Sequence, residues 1–174
     1  TITCYDSYPS YTSGQAYTQL TTDYDASYSS ATINRVTTTK VRTLLSYGSI
    51  TYNFTTTNYF YDKFGRSIGT TSLRSDGITE KINNKYSFTG NVLKTQKQIL
   101  YGTTEIVSIG QRFIYDHRNR LVESFHKTGS GSEVLLAQNN YNELGQVMDK
   151  KTGLNSSTNN FLQSIDYAYN IRGW

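Results

Sequence analysis

A tyrosine followed four residues later by glycine recurs along the chain, and this repeat constrains the fold more than any other feature. The pairs are Tyr61/Gly65, Tyr86/Gly90, Tyr115/Asn119, Tyr141/Gly145 and Tyr169/Gly173, with asparagine once in place of glycine. Successive anchor tyrosines are 25, 29, 26 and 28 residues apart, a spacing typical of tandem structural repeats. We therefore expect an array of similar units.

The segments before the anchors have the period of β-strands, because apolar residues alternate with polar ones. Residues of one parity are Val107, Ile109, Phe113 and Tyr115 in one segment, Phe161, Ile165, Tyr167 and Tyr169 in another, and Ile78, Ile82 and Tyr86 in a third. Successive strand side chains point to opposite faces, so each set is expected to line one face of a sheet. The other face is mostly Lys, Gln, Asn, Ser and Thr.

The motif also contains the residues of a tight turn between two strands. Asp62 and Asp116 follow their tyrosines, and an aspartate there can accept backbone hydrogen bonds within the turn. Glycine accepts the positive φ that closes a hairpin, and Asn119 is the residue that best replaces it. A polar residue follows, including Arg66 and Arg120, and the next strand then begins. A second, variable turn is expected at 75–77, 128–132 and 153–160.

Tandem Tyr-Asp-x-x-Gly-Arg units of this length resemble the RHS or YD-repeat family. The resemblance is carried by FYDKFGRS (60–67), IYDHRNRL (114–121), YNELGQV (141–147) and YAYNIRGW (167–174), with KYSFTGNV (85–92) as a degenerate copy. It covers about residues 59–174. It implies an all-β fold, in which tandem β-hairpins join edge to edge as one continuous curved antiparallel sheet that forms a segment of a larger β-shell.

In that family the shell encloses a C-terminal toxin domain or serves adhesion. About ten strands spaced about 4.8 Å apart would span about 50 Å, which is a patch of such a wall. The first residue is Thr1, and the chain stops at Trp174 directly after a turn glycine. We therefore expect a segment of a longer chain.

Residues 1–58 lack the complete motif and are expected to precede or begin the array as degenerate repeats. Tyr5-Asp6 and Tyr24-Asp25 are fragments without a glycine at the required spacing. Residues 38–44 and 50–54 are rich in β-branched and aromatic residues and are predicted to be strands. The Tyr, Ser and Thr content of residues 1–32 is also compatible with disorder or self-association, so no fold is assigned there.

Composition restricts the class of protein. A net charge of +4, without runs of like charge, does not indicate a nucleic-acid partner. No apolar stretch is long enough for a transmembrane segment. The single cysteine, Cys4, cannot form an internal disulfide, and the single proline, Pro9, leaves the remaining chain suited to continuous strand pairing.

No catalytic, cofactor or metal site is predicted. His117 stands at a variable turn position, and His126 is expected on a solvent-facing strand position, so a site built from them with Asp116 and Glu123 is the weaker interpretation. The recurrence of Asp62 and Asp116 is explained by turn formation. Ser130 between two glycines lacks the strand-to-helix context of a nucleophile elbow.

The functional expectation follows from the resemblance. The chain would be a structural part of a secreted or cell-surface protein, whose partners are further repeats and a C-terminal effector of the same polypeptide, together with secretion machinery. The alternative is a cell-surface adhesin that binds glycan or protein through exposed tyrosines. The turn and anchor residues expected to serve the array are Tyr61, Asp62, Gly65, Arg66, Tyr86, Gly90, Tyr115, Asp116, Asn119, Arg120, Tyr141, Gly145, Tyr169 and Gly173.

Overall fold

The computed structural model describes residues 1–8, 15–43, 53–155 and 158–170. Within these ranges the chain forms eleven strands and no helix. The strands are β1 Ile2–Tyr5, β2 Val36–Thr43, β3 Asn53–Tyr61, β4 Ser67–Arg74, β5 Ile78–Tyr86, β6 Val92–Tyr101, β7 Thr104–Tyr115, β8 Leu121–Thr128, β9 Val134–Tyr141, β10 Val147–Asn155 and β11 Asn160–Asp166.

The strands form one antiparallel sheet in which each strand neighbours the next along the chain. The predicted all-β sheet of tandem hairpins is therefore confirmed. The chain also divides into two compact units, Thr1–Ser108 and Ile109–Trp174. In the described residues there is no helix that could cross a membrane.

Strand bounds agree with the sequence pattern in most places. The strand predicted at 38–44 lies largely in β2, and the strand predicted at 50–54 meets β3 at Asn53 and Phe54, while 50–52 lie outside the described residues. The turn predicted from Gly153 was placed too early. β10 continues to Asn155, because Gly153 with φ 67° lies within the strand and lets Leu154 pair with Phe161.

The residues at the glycine position of the motif have the left-handed backbone that the turn requires. Their φ angles are 84° at Gly65, 93° at Gly90, 61° at Asn119 and 91° at Gly145. Gly173 lies outside the described residues. Because only glycine and asparagine adopt this region readily, the turn explains the restricted choice at this position.

The buried face of β3, β4 and β5 is polar, which differs from the sequence-based expectation. Asn58, Thr71, Thr79 and Asn83 are at most 7% exposed, together with the apolar Phe60. The strand pairing places Asn58 opposite Thr71, and Phe60 opposite Gly69, which in turn faces Asn83. Ile78 and Ile82 have the opposite parity in β5 from Thr79 and Asn83 and are only half-buried. Residues 15–32, which form no strand, cover this polar face, and we call them the strap.

We expect Asn119→Ala to lower the free energy of unfolding by about 1–2 kcal/mol, because alanine has a β-carbon that opposes left-handed geometry and lacks the polar side chain that lets asparagine tolerate it. Asn119→Gly should preserve it, since glycine has no such penalty. His117→Ala in the same turn is the control and should change stability by no more than about 0.5 kcal/mol. Urea unfolding measures all three, and equal stability of the two Asn119 variants would contradict the turn assignment.

Candidate functional site: the turn ladder and the strap

The turn after Tyr61 is closed by its aspartate and by main-chain bonds. The Asp62 amide donates to the Arg66 carbonyl at 3.0 Å, and the Gly65 amide donates to the Asp62 carbonyl at 3.0 Å. The Asp62 Oδ1 accepts the amides of Phe64 and Arg66 at 2.8 and 2.9 Å. One carboxylate therefore satisfies two of the amides that a tight turn leaves without a strand partner.

The turn after Tyr115 repeats this geometry in the second unit. The Asp116 and Asn119 amides donate at 3.0 Å to the carbonyls of Arg120 and Asp116. The Asp116 Oδ1 accepts the amides of Arg118 and Arg120 at 2.8 and 2.9 Å. Two sequences that share only the motif residues thus build the same turn.

Each of these aspartates is also paired with the arginine four residues on, at 2.6 Å in both turns. Burial opposes ionisation of Asp62, but the hydrogen bonds from Arg66 and Phe64 outweigh it and lower its pKa. The pKa of Asp116 is lowered chiefly by the backbone hydrogen bond from Arg120, with further hydrogen bonds from the Arg120 side chain and the Arg118 amide.

Two other turns keep the shape with uncharged residues. After Tyr141, Asn142 Oδ1 accepts the Gln146 amide at 2.9 Å, and the two side-chain amides bond to each other at 2.8 Å. After Tyr86, the Ser87 hydroxyl accepts the Asn91 amide at 3.0 Å. The turn therefore requires a side-chain oxygen acceptor after the tyrosine, and the aspartate carboxylate is one way of supplying it.

The anchor tyrosines tie neighbouring hairpins together, a role that was not predicted for them. In four of the repeats the phenol donates to the carbonyl that begins the strand after the preceding turn. The bonds are Tyr61 to Val36 at 2.8 Å, Tyr86 to Ser67 at 2.9 Å, Tyr141 to Leu121 at 2.8 Å and Tyr169 to Val147 at 2.8 Å. We call this series of bonds the turn ladder.

Motif arginines hold the ring of the next tyrosine. The guanidinium of Arg66 lies 4.9 Å from the Tyr86 ring centroid, and that of Arg120 lies 4.5 Å from the Tyr141 centroid. Arg66 also donates to the Ser87 carbonyl at 2.8 Å, and Arg120 to the Asn142 carbonyl at 3.4 Å. One arginine thus joins its own aspartate to the ring and backbone of the following turn, a cation–π geometry that adds about 0.5–1 kcal/mol.

A further copy of the motif lies at the amino terminus, split by an insertion. Tyr5 pairs with Val36 next to a register shift, as Tyr61 pairs with Ser67 and Tyr115 with Leu121. The Asp6 amide donates to the Arg35 carbonyl at 3.1 Å, which is the bond made by Asp62 and Asp116.

Asn34 of the split copy occupies the left-handed position with φ 59°, and its amide donates to Asp6 Oδ1 at 2.5 Å. The carbonyl of Val36 accepts the Tyr61 phenol, and the Arg35 guanidinium lies 5.5 Å from the Tyr61 ring. Residues 7–33 therefore replace the two variable residues of an ordinary turn. A search at fixed spacing missed this copy, although Asn34-Arg35-Val36 resembles Asn119-Arg120-Leu121 in the sequence. Tyr24-Asp25 lies in the strap and forms no such turn.

The strap is held on the polar face by side chains from β3, β5 and β6. Asn58 Nδ2 donates to the Gln15 carbonyl at 3.0 Å, and the Leu20 amide donates to Asn83 Oδ1 at 2.8 Å. Lys81 donates to the Thr18 hydroxyl at 3.2 Å, and Lys94 pairs with Asp23 at 2.7 Å. The strap is thus packed, including Tyr24 at 7% exposure, although its composition was also compatible with disorder.

Aromatic rings hold the strap near both of its ends. The Tyr17 ring lies 5.4 Å from the Phe60 centroid, and Tyr28 lies 5.1 Å from Phe60 and 4.6 Å from Tyr8. Burial raises the pKa of Tyr17 to about 12. Beside this cluster, a recess of about 500 Å³ is lined by Asp25, Tyr28, Asp62, Phe64 and neighbouring residues.

The histidines, serine and cysteine considered in the sequence are not brought into a common site. His117 is exposed at a turn, whereas His126 is half-buried in β8, where it pairs with Val134, and not solvent-facing as expected. Cys4 is in β1 and Ser130 is in an exposed turn. Within the described ranges, no group of three metal-ligating side chains forms a metal site.

No protein-family model matches the chain, and no curated protein is significantly similar to it. The resemblance to YD repeats therefore depends on the motif and its spacing.

Replacing a ladder tyrosine tests the bond between hairpins. We expect Tyr141→Phe to lower the free energy of unfolding by about 0.5–1.5 kcal/mol, because the Leu121 carbonyl loses its phenol donor. Tyr101→Phe, at a position that is 62% exposed, is the matched control and should change it little. Urea unfolding distinguishes the two, and equal effects would contradict the ladder.

Acid should weaken the aspartate turns. A carboxylate with a lowered folded pKa contributes its full stability above its ordinary pKa and loses it as the pH falls through the lowered value. The double substitution Asp116→Asn with Arg120→Gln copies the natural Asn142/Gln146 pair, so it should keep the turn and make stability less dependent on pH below about pH 5. Urea unfolding across this pH range checks it, and an unchanged pH profile would contradict the assignment.

Proposed function

We propose that the chain is a structural segment of an exported RHS/YD-repeat protein, whose β-shell encloses or presents a C-terminal effector domain. The observation that supports it most is the turn ladder. Within each compact unit its repeated bond connects a hairpin to the preceding one, and it can be extended by further copies of the same motif. A repeated bond of this kind is suited to extending a β-sheet into a shell, because each added repeat contributes both a donor tyrosine and an acceptor carbonyl.

The partners of such a wall are other parts of the same polypeptide. β1 and β11 are the outer strands of the sheet, and outer strands present backbone groups that further hairpins can pair with. The effector would lie after the array, and export would place the protein outside the cell or on its surface.

A second candidate function, a cell-surface adhesin, is supported by the recess beside the strap. Tyr28 and Phe64 line it and are 37% and 64% exposed. Aromatic faces next to carboxylates such as Asp25 suit sugar binding, and about 500 Å³ is within the usual range of ligand pockets. In this function the same sheet would carry a binding surface and would have no enclosed cargo.

Limited proteolysis of the natural polypeptide that carries these residues separates the two functions. If a shell encloses an effector, the segment after the array should be cleaved much more slowly than the same segment expressed alone. Tyr61→Phe combined with Tyr141→Phe should then accelerate its cleavage, because cleavage follows the population of the opened form.

Tyr101→Phe serves again as the control and should leave the cleavage rate unchanged. Equal cleavage of the free and attached segment would contradict enclosure. Loss of attachment to glycan-coated surfaces in a Tyr28→Ala/Phe64→Ala variant would instead support the adhesin, and recovery of the protein only from the cytoplasm would contradict export.

A further inference from the structure

We propose that the polar face of β3–β6 is a binding surface for a polypeptide segment without regular secondary structure, and that the strap occupies this surface as a ligand in cis. This inference concerns a site within one unit and goes beyond the role of the sheet as a wall. Three kinds of contact support it: hydrogen bonds to the strap backbone, an aromatic anchor and charged contacts at the edge of the surface.

Two buried asparagines form hydrogen bonds with the backbone of the strap. Asn58 is fully buried and donates to a strap carbonyl, and Asn83 is 2% exposed and accepts a strap amide. A side-chain amide offers the same donor and acceptor as a peptide group, so these residues act as a neighbouring strand would. Burial of two amides on a sheet face is costly unless both are bonded, so a segment that covers them must offer backbone groups at these two positions, as the strap does.

An anchor position on the surface receives Tyr17. Gly69 leaves space for the ring, because a β-carbon there would lie 2.8 Å from Tyr17 Cε2. Phe60, which is fully buried, contacts the ring from the adjacent strand, and the phenol donates to the Asp25 carbonyl at 2.6 Å. A half-buried aromatic ring that packs beside a glycine and against a buried Phe is the arrangement of an anchor in a recognition site.

Two lysines complete the surface at its rim. Lys81 donates a hydrogen bond to the hydroxyl of Thr18, and Lys94 forms an ion pair with the carboxylate of Asp23. Exposed ion pairs of this type add at most about 1 kcal/mol, so they contribute more to specificity for the ligand than to its affinity. The ligand pattern is thus a tyrosine, a hydroxyl residue next to it, a free backbone amide three residues on and an acid six residues on.

Residues 15–25 of the strap are separable from the turn that carries it. Asp6, Asn34 and Arg35 close that turn together with Thr32 at the end of the strap, and β1 pairs with β2 in the usual register. A tethered ligand of this length has an effective concentration of about 1 mM or above, so a free peptide should bind only when the strap is weakened. The surface therefore accepts a segment of another chain with the same pattern once the strap is displaced.

Binding of a labelled peptide with the sequence of residues 15–25 tests the proposal. The recipient is the full chain in which residues 15–25 are replaced by a Gly/Ser linker of equal length, which keeps Tyr8 and Tyr28. We expect fluorescence anisotropy to show at least tenfold tighter binding than to the unaltered chain. A peptide carrying Tyr17→Ala should bind at least tenfold more weakly, and Asn83→Ala in the recipient should have a similar effect.

A full chain carrying only Tyr17→Ala provides a second recipient with one weakened contact, and it should also gain binding of the unaltered peptide. If the linker variant lacks a cooperative unfolding transition, this second recipient decides the result. A folded recipient that binds no peptide would overturn the proposal. Equal binding of the unaltered and the Tyr17→Ala peptides would overturn it as well, because the attraction would not depend on the anchor.

Discussion

A phenol-to-carbonyl bond between consecutive hairpins is the interaction on which this array depends. Strand pairing alone holds neighbours together but allows slippage, because a shift in register keeps most backbone bonds. The tyrosine hydroxyl recognises one carbonyl, at the start of the strand after the previous turn, and so fixes the register. Each turn must therefore place that carbonyl accurately, which explains the fixed spacing from tyrosine to the left-handed residue.

The same constraint explains how an insertion of 7–33 is accommodated. Asp6, Asn34 and Arg35 keep the turn closed and leave the Val36 carbonyl where Tyr61 needs it. Residues 15–32 of this insertion, the strap, lie across β3–β6, where the polar residues of the face bond to the strap backbone and Phe60 packs against its tyrosines. The insertion in the turn and the asparagines of the sheet face are thus linked, because the inserted strap supplies the backbone groups to which these asparagines bond.

The sequence predicted the strands and turns well, because alternation and turn residues are local signals. The ladder could not be predicted, since the acceptor of Tyr141 is a main-chain carbonyl of Leu121 that any residue would supply. The split copy was hidden because the search assumed constant spacing. The buried polar face was predicted wrongly, because Asn58 and Asn83 resemble solvent-facing residues until the strap that covers them is known. Long-range contacts of irregular segments leave no periodic signal.

Native-state amide hydrogen exchange of a Tyr61→Phe chain, compared residue by residue with the unaltered chain, tests most directly whether the phenol ties one hairpin to the next. The tie to Val36 predicts a loss of protection concentrated in β2 and its partner β1, with β5 and β6 almost unchanged. A loss spread evenly over the first unit, or none in β1 and β2, would contradict the ladder as the element that joins neighbouring hairpins.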